Sequence, residues 1–119
     1  MESNGDFMDI DRIKYRANKA RLWATKIVTL EVGLSVGVSR LLHNLQLLEL
    51  NHDEKFRVLG DFLNKIPVDT PLGDLRLLCD EKFLKSSDYE LMKIELEFRQ
   101  LIMISCLEII REMDSIMHR

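Results

Sequence analysis

Cysteine, proline and aromatic residues are scarce in this chain of 119 residues, and each shortage narrows what it can be. The two cysteines, Cys79 and Cys106, have no second cysteine near either. They therefore match neither a disulfide framework nor a CxxC redox or zinc pair, and both fall at apolar helical positions, where cysteine is ordinarily a small buried hydrophobe. The two prolines, Pro67 and Pro71, are four residues apart, so long helices can run unbroken on either side of them. No hydrophobic run reaches the ~20 residues of a membrane span. The start of the chain, with Glu2, Asp6, Asp9 and Asp11, lacks the cationic and apolar regions of a secretory signal. An intracellular, reducing location, cytoplasmic or nuclear, is the expectation.

Catalytic and metal-binding patterns are missing too. His43, His52 and His118 do not combine with carboxylates, serines or cysteines in a pattern that would make a triad or a metal triplet. The glycines stand singly, and neither Gly33 nor Gly37 is followed by the Lys-Ser or Lys-Thr of a phosphate-binding loop. Acidic pairs such as Asp80 with Glu81, or Glu95 with Glu97, lack the alternating oxygen ligands of a calcium loop and read as solvated faces. No cofactor, metal or small-molecule substrate is expected, and the chain is read as a non-enzyme.

What is present is helical periodicity. Residues 1–8 read as a flexible tail and 9–119 as a single helical domain, an all-α compact bundle of four to five helices. With Asp9 as N-cap, Ile13, Ala17, Ala20, Ala24, Ile27 and Val28 form a narrow apolar face of mostly small residues. Residues 28–38 alternate like a strand. Yet Leu30, Leu34, Val38, Leu41, Leu45 and Leu48 keep helical spacing, and no other segment offers a strand partner. Helix is favoured there, with a kink or short loop at Gly33 and Gly37 as the alternative. Asn51 with Glu54 resembles a capping pair for a helix that Pro67 ends. Thr70 and Pro71 would open another, burying Leu72, Leu75, Cys79 and Phe83.

Ser87 with Glu90 then forms a capping box for a long, largely buried C-terminal helix. Its stretch 101–110 is so apolar that it should be covered on nearly all sides. At 1.5 Å per residue it would extend about 45 Å, beyond a compact domain with a radius of gyration of about 13 to 14 Å. A protruding end is expected. Cys106, Ile109, Met113 and Ile116, at intervals of three and four residues, are the candidate self-association surface.

One feature points to a partner. Residues 12–26 hold six basic side chains and no acidic one, while the chain's formal net charge is −3, so the other 104 residues carry −9. On a helical wheel Arg12, Arg16, Lys19, Trp23 and Lys26 share a face, and Lys14 and Arg21 border the apolar stripe from the other side. Cations in a first helical turn oppose the helix dipole, and no acid stands at i±3 or i±4 within the segment to pair with them. Such a ridge fits a protein partner, the chain acting as adaptor or regulator. It also fits nucleic acid, with a dimer laying two basic helices across an RNA or DNA duplex. A lipid surface fits less well, because the opposite face has side chains too small to insert. Pairing of the ridge with Glu95, Glu97, Glu108 or Asp114 would instead make it an internal seam.

Overall fold

A computed structural model describes the backbone of residues 2–118 and the side chains of residues 10–118. The chain is all-α, with four α-helices, α1 (Glu2–Val28), α2 (Leu34–Leu47), α3 (Arg57–Lys65) and α4 (Glu81–Met117), and two 3-10 turns over Glu54–Phe56 and Gly73–Leu78. Helix α1 begins before Asp9, which therefore lies inside it and does not cap it. The side chains of the expected tail, 1–8, lie outside the described residues.

Small residues on α1 set the packing distance. Ala17, Ala20, Ala24 and Ile27 are buried, as are Val38, Leu41 and Leu45 of α2, Leu59 and Phe62 of α3, and Ile102, Cys106, Ile109 and Met113 of α4. With three alanines on its inner face, α1 can lie close to both α2 and α4. Gly37 serves the same end: a Cβ there would stand 2.6 Å from Ile27 Cγ1 and 2.9 Å from Val32 Cγ2.

The ambiguous stretch 28–38 is neither strand nor unbroken helix. Helix α1 ends at Val28, a turn follows, and Gly33 is the N-cap of α2. The amides of Leu30 and Glu31 donate to the Ile27 and Lys26 carbonyls at 3.2 and 2.9 Å, with Leu30 left-handed at φ 62°. This pair of bonds closes a Schellman cap. The end of α2 repeats it: Glu49, at φ 59°, and Leu50 donate to the Gln46 and Leu45 carbonyls.

Helix α4 differs most from expectation. It starts at Glu81, with the Asp80 carboxylate accepting from the Phe83 amide at 2.8 Å, so Ser87 lies inside the helix and does not cap it. Asp80 and Glu81 are thus a cap and a first-turn acid, placed to complement the helix dipole. Its 37 residues span about 55 Å, which matches the molecule's longest dimension of 56 Å and its radius of gyration of 16.3 Å. The helix foreseen from Thr70 is a 3-10 turn instead: Gly73 is left-handed at φ 60°, and no residue from Gly73 to Leu78 is buried. Leu75 and Phe83 are exposed. A bidentate pair from Arg76 to Asp88, at 2.6 and 2.9 Å, holds this turn against α4.

Helices α1 and α3 cover only one side of α4. The opposite side, with Leu101, Ile104 and Leu107, is exposed, because no further helix exists among the described residues to cover it. Full coverage of 101–110 therefore does not occur.

Candidate basic interaction surface on α1

The basic residues of α1 divide by the neighbour each one faces. Arg21, on the α4 side of the buried stripe, places Nη1 3.0 Å from Asp114 Oδ1 and Nη2 3.3 Å from Asn18 Oδ1. It belongs to the packing. Arg16, on the α2 side, donates from Nη1 to the Leu47 carbonyl at 3.1 Å. That carbonyl is one of the unsatisfied acceptors at the end of α2, so Arg16 acts as a helix cap supplied from another helix.

The lysines lie over aromatic rings of their own helix. Lys19 Nζ stands 5.6 Å from the Tyr15 ring centroid and Lys26 Nζ 5.1 Å from that of Trp23. Both distances suit cation–π attraction. Trp23 is half-buried and its inner edge packs on the core. Arg12 is exposed. Lys14 shares an apolar cleft of about 320 Å³ with Ile10, Ile13 and Ile116. Arg12 and Arg16 line a more polar cleft of about 280 Å³ together with Leu47, Leu48 and Glu49.

Among the described residues, Arg12, Arg16, Lys19 and Lys26 make no ion pair with a carboxylate. Of the four acids that would have made an internal seam, Asp114 joins α1 among the described residues, through Arg21. Glu95 accepts from the Ser35 hydroxyl at 3.1 Å, and Glu97 lies 3.9 Å from Lys65 Nζ.

The candidate self-association residues are elsewhere than foreseen. Cys106, Ile109 and Met113 are fully buried and Ile116 nearly so, all in the chain's own core. They face α1, whose alanine stripe is their complement, and offer no surface to a second copy. Burial also pushes the Cys106 thiol up to about 12, which keeps it neutral. Their spacing of three and four marks an intramolecular seam just as well as an intermolecular one.

Comparison with protein-family models, with curated proteins and with solved structures finds no match. The site is therefore read from its own chemistry. Among the described residues no group of three or more His, Cys, Asp or Glu side chains is placed to hold a metal ion, and no helix is long and apolar enough to cross a membrane.

Two features escaped the sequence. Arg40 of α2 is exposed and lines a groove of about 500 Å³ with His43, Leu72 and Gly73. The antiparallel register of α1 and α2, set by Arg16 at Leu47 and Ile27 at Gly37, brings Arg40 to the level of Trp23. Aligning the two stripes head to tail would have revealed that cation. The second is the exposed apolar segment Val68, Leu75, Leu77 and Leu78, hidden by an assumed helical periodicity.

Proposed function

We propose that the chain is a non-enzymatic binding protein whose α1 ridge engages an acidic protein segment. The observation that carries this reading is that Arg12, Arg16, Lys19 and Lys26, on one face of α1, have no carboxylate partner among the described residues while the rest of the chain is acidic. Unneutralised cations on one element focus potential toward an anionic partner.

Two details favour a short acidic segment over a nucleic acid. The Tyr15 and Trp23 rings already carry lysines of the same helix, which competes with the base stacking that single strands use. Glu49 at the Arg12 end of the ridge would repel a continuous phosphate backbone but leaves room for a carboxylate between Arg12 and Lys26, about 21 Å apart along the helix.

Trp23 is the chain's single tryptophan, and it reports on this surface. Titration with an oligoglutamate peptide at low salt should shift its emission, and Arg12→Ala, Lys19→Ala and Lys26→Ala together should remove the response while leaving the helical circular dichroism intact. Arg16 is left in place because it caps α2. No response to the peptide refutes the proposal, and a stronger, steeply salt-dependent response to a duplex transfers the surface to nucleic acid.

A further inference from the structure

The outer face of α4 is apolar at its centre and flanked there by charges of opposite sign, Glu97 before it and Arg111 after it. Leu101, Ile104 and Leu107 are 55%, 48% and 54% exposed, and they adjoin one another on one helical face. Glu97 and Arg111 stand one heptad before and one heptad after Ile104, on the same line. Both are exposed; Arg111 has no ion pair among the described residues, and Glu97 has only a long, exposed one, 3.9 Å to Lys65 Nζ.

From this arrangement we infer that the face binds a second copy of itself, antiparallel, about a two-fold axis through Ile104. Reversal about that residue sets Ile104 on its own copy and Leu101 against Leu107 of the second copy. It also sets Glu97 against Arg111 of the second copy, and Gln100 against Glu108. Farther out, Lys93 meets Ser115 and Glu90 meets His118. No like charges oppose along the roughly 42 Å from residue 90 to residue 118. A parallel pair would put Glu97 on Glu97 and Arg111 on Arg111, so the signs select the antiparallel orientation. The isologous pattern is what a two-fold dimer demands, each surface being its own complement. A partner of one charge sign gains less here, because the face carries both acids and bases. The surface is separate from the α1 ridge, on another helix.

Charge exchange and cross-linking test it. Sedimentation equilibrium at tens of micromolar should find a dimer, and either Glu97→Arg or Arg111→Glu alone should weaken it about tenfold or more. The two together should restore it, since the swapped signs are again complementary. In a Cys79→Ser background, Ile104→Cys should give a disulfide-linked dimer on mild oxidation, because the axis brings position 104 onto itself; Cys106 is buried and takes no part. A monomer at these concentrations overturns the inference. So does a dimer indifferent to both reversals, which would be assembled through another face.

Discussion

Arg21 Nη1 lies 3.0 Å from Asp114 Oδ1, tying the middle of α1 to the last turns of α4. This contact removes one cation from the count of six, and it does so on the side of α1 facing away from the ridge. Sequence charge and usable charge are thus different quantities: Arg21 has a carboxylate partner and Arg16 commits one donor to a neighbouring helix, so the ridge carries less than the count of six.

The Arg21 pair is about 40% exposed on both sides, so screening keeps its worth small. Arg21→Ala should lower stability by no more than about 1 kcal/mol and leave any response of Trp23 to an acidic peptide unchanged. Urea denaturation and the Trp23 titration measure the two effects on the same variant. A loss of peptide binding with Arg21→Ala would place that residue on the ridge.

Gly37 and Gly60 should respond oppositely to alanine. At Gly37 the new Cβ meets Ile27 Cγ1 at 2.6 Å. Ile27 is itself buried in the core, so the clash should cost roughly 1 to 3 kcal/mol, outweighing the gain in helix propensity. At Gly60, inside α3, a Cβ has nothing within 4 Å. Gly60→Ala should stabilise by about 0.5 to 1 kcal/mol. Denaturant midpoints of the two variants give the comparison directly.

Which parts of this fold could be read in advance follows from where the deciding information lies. The alanine face of α1, the leucine stripe of α2 and the stop at Pro67 are local patterns, and the structure contains them. Helix α4 is where local reading misplaced boundaries: Ser87 with Glu90 matches a capping box, but Asp80 caps about two turns earlier because helix formers continue back to Glu81. The coverage of 101–110 was illegible for another reason. Whether Leu101, Ile104 and Leu107 find neighbours depends on how many helices remain to cover them, a property of the whole chain. The ridge was legible as charge, while the roles of Arg16 and Arg21 within it depend on contacts 31 and 93 residues away.

Leu30 should be improved by glycine. It holds a left-handed φ of 62°, a region that costs a side-chain-bearing residue roughly 1 to 2 kcal/mol, and its side chain is 70% exposed, so little packing is lost with it. After the greater chain entropy of glycine in the unfolded state is subtracted, Leu30→Gly should stabilise by about 0.5 to 1 kcal/mol. Glu49→Gly, in the same position of the α2 cap, should act in the same direction. A fall in the melting temperature of Leu30→Gly would mean that the Leu30 side chain contributes contacts worth more than the strain.

Asp88 connects pH to the turn at Gly73–Leu78. The hydrogen bonds from Arg76, reinforced by its charge, hold the Asp88 carboxyl below the ordinary aspartate value. A carboxyl depressed on folding contributes stability that is present above its unfolded value, and loses it as pH falls through the lower folded value. The contribution should therefore begin to decline near pH 4 and be gone only below the depressed folded midpoint. A carbon-detected titration of the Asp88 carboxyl should find the depressed midpoint, and Arg76→Ala should return it toward the ordinary value. An unchanged midpoint in Arg76→Ala would show that the pair does not form in solution.

The two cysteines should differ sharply in reactivity. Cys106 is fully buried among Ile102, Ile109 and the alanines of α1, with its thiol raised to about 12 by that burial. Thiolate is the reactive form, so Cys106 is doubly protected, by occlusion and by protonation. Cys79 follows the 3-10 turn, only partly covered, its Sγ 3.6 Å from the Leu75 carbonyl. Native protein treated with a thiol reagent near pH 8 should be modified at one cysteine, and protein unfolded in guanidinium at both. Mass spectrometry of the native product should locate the label on Cys79. Fast labelling of Cys106 under native conditions would require α1 and α4 to separate readily, and would contradict a core in which the alanine stripe closes over the Cys106–Met113 seam.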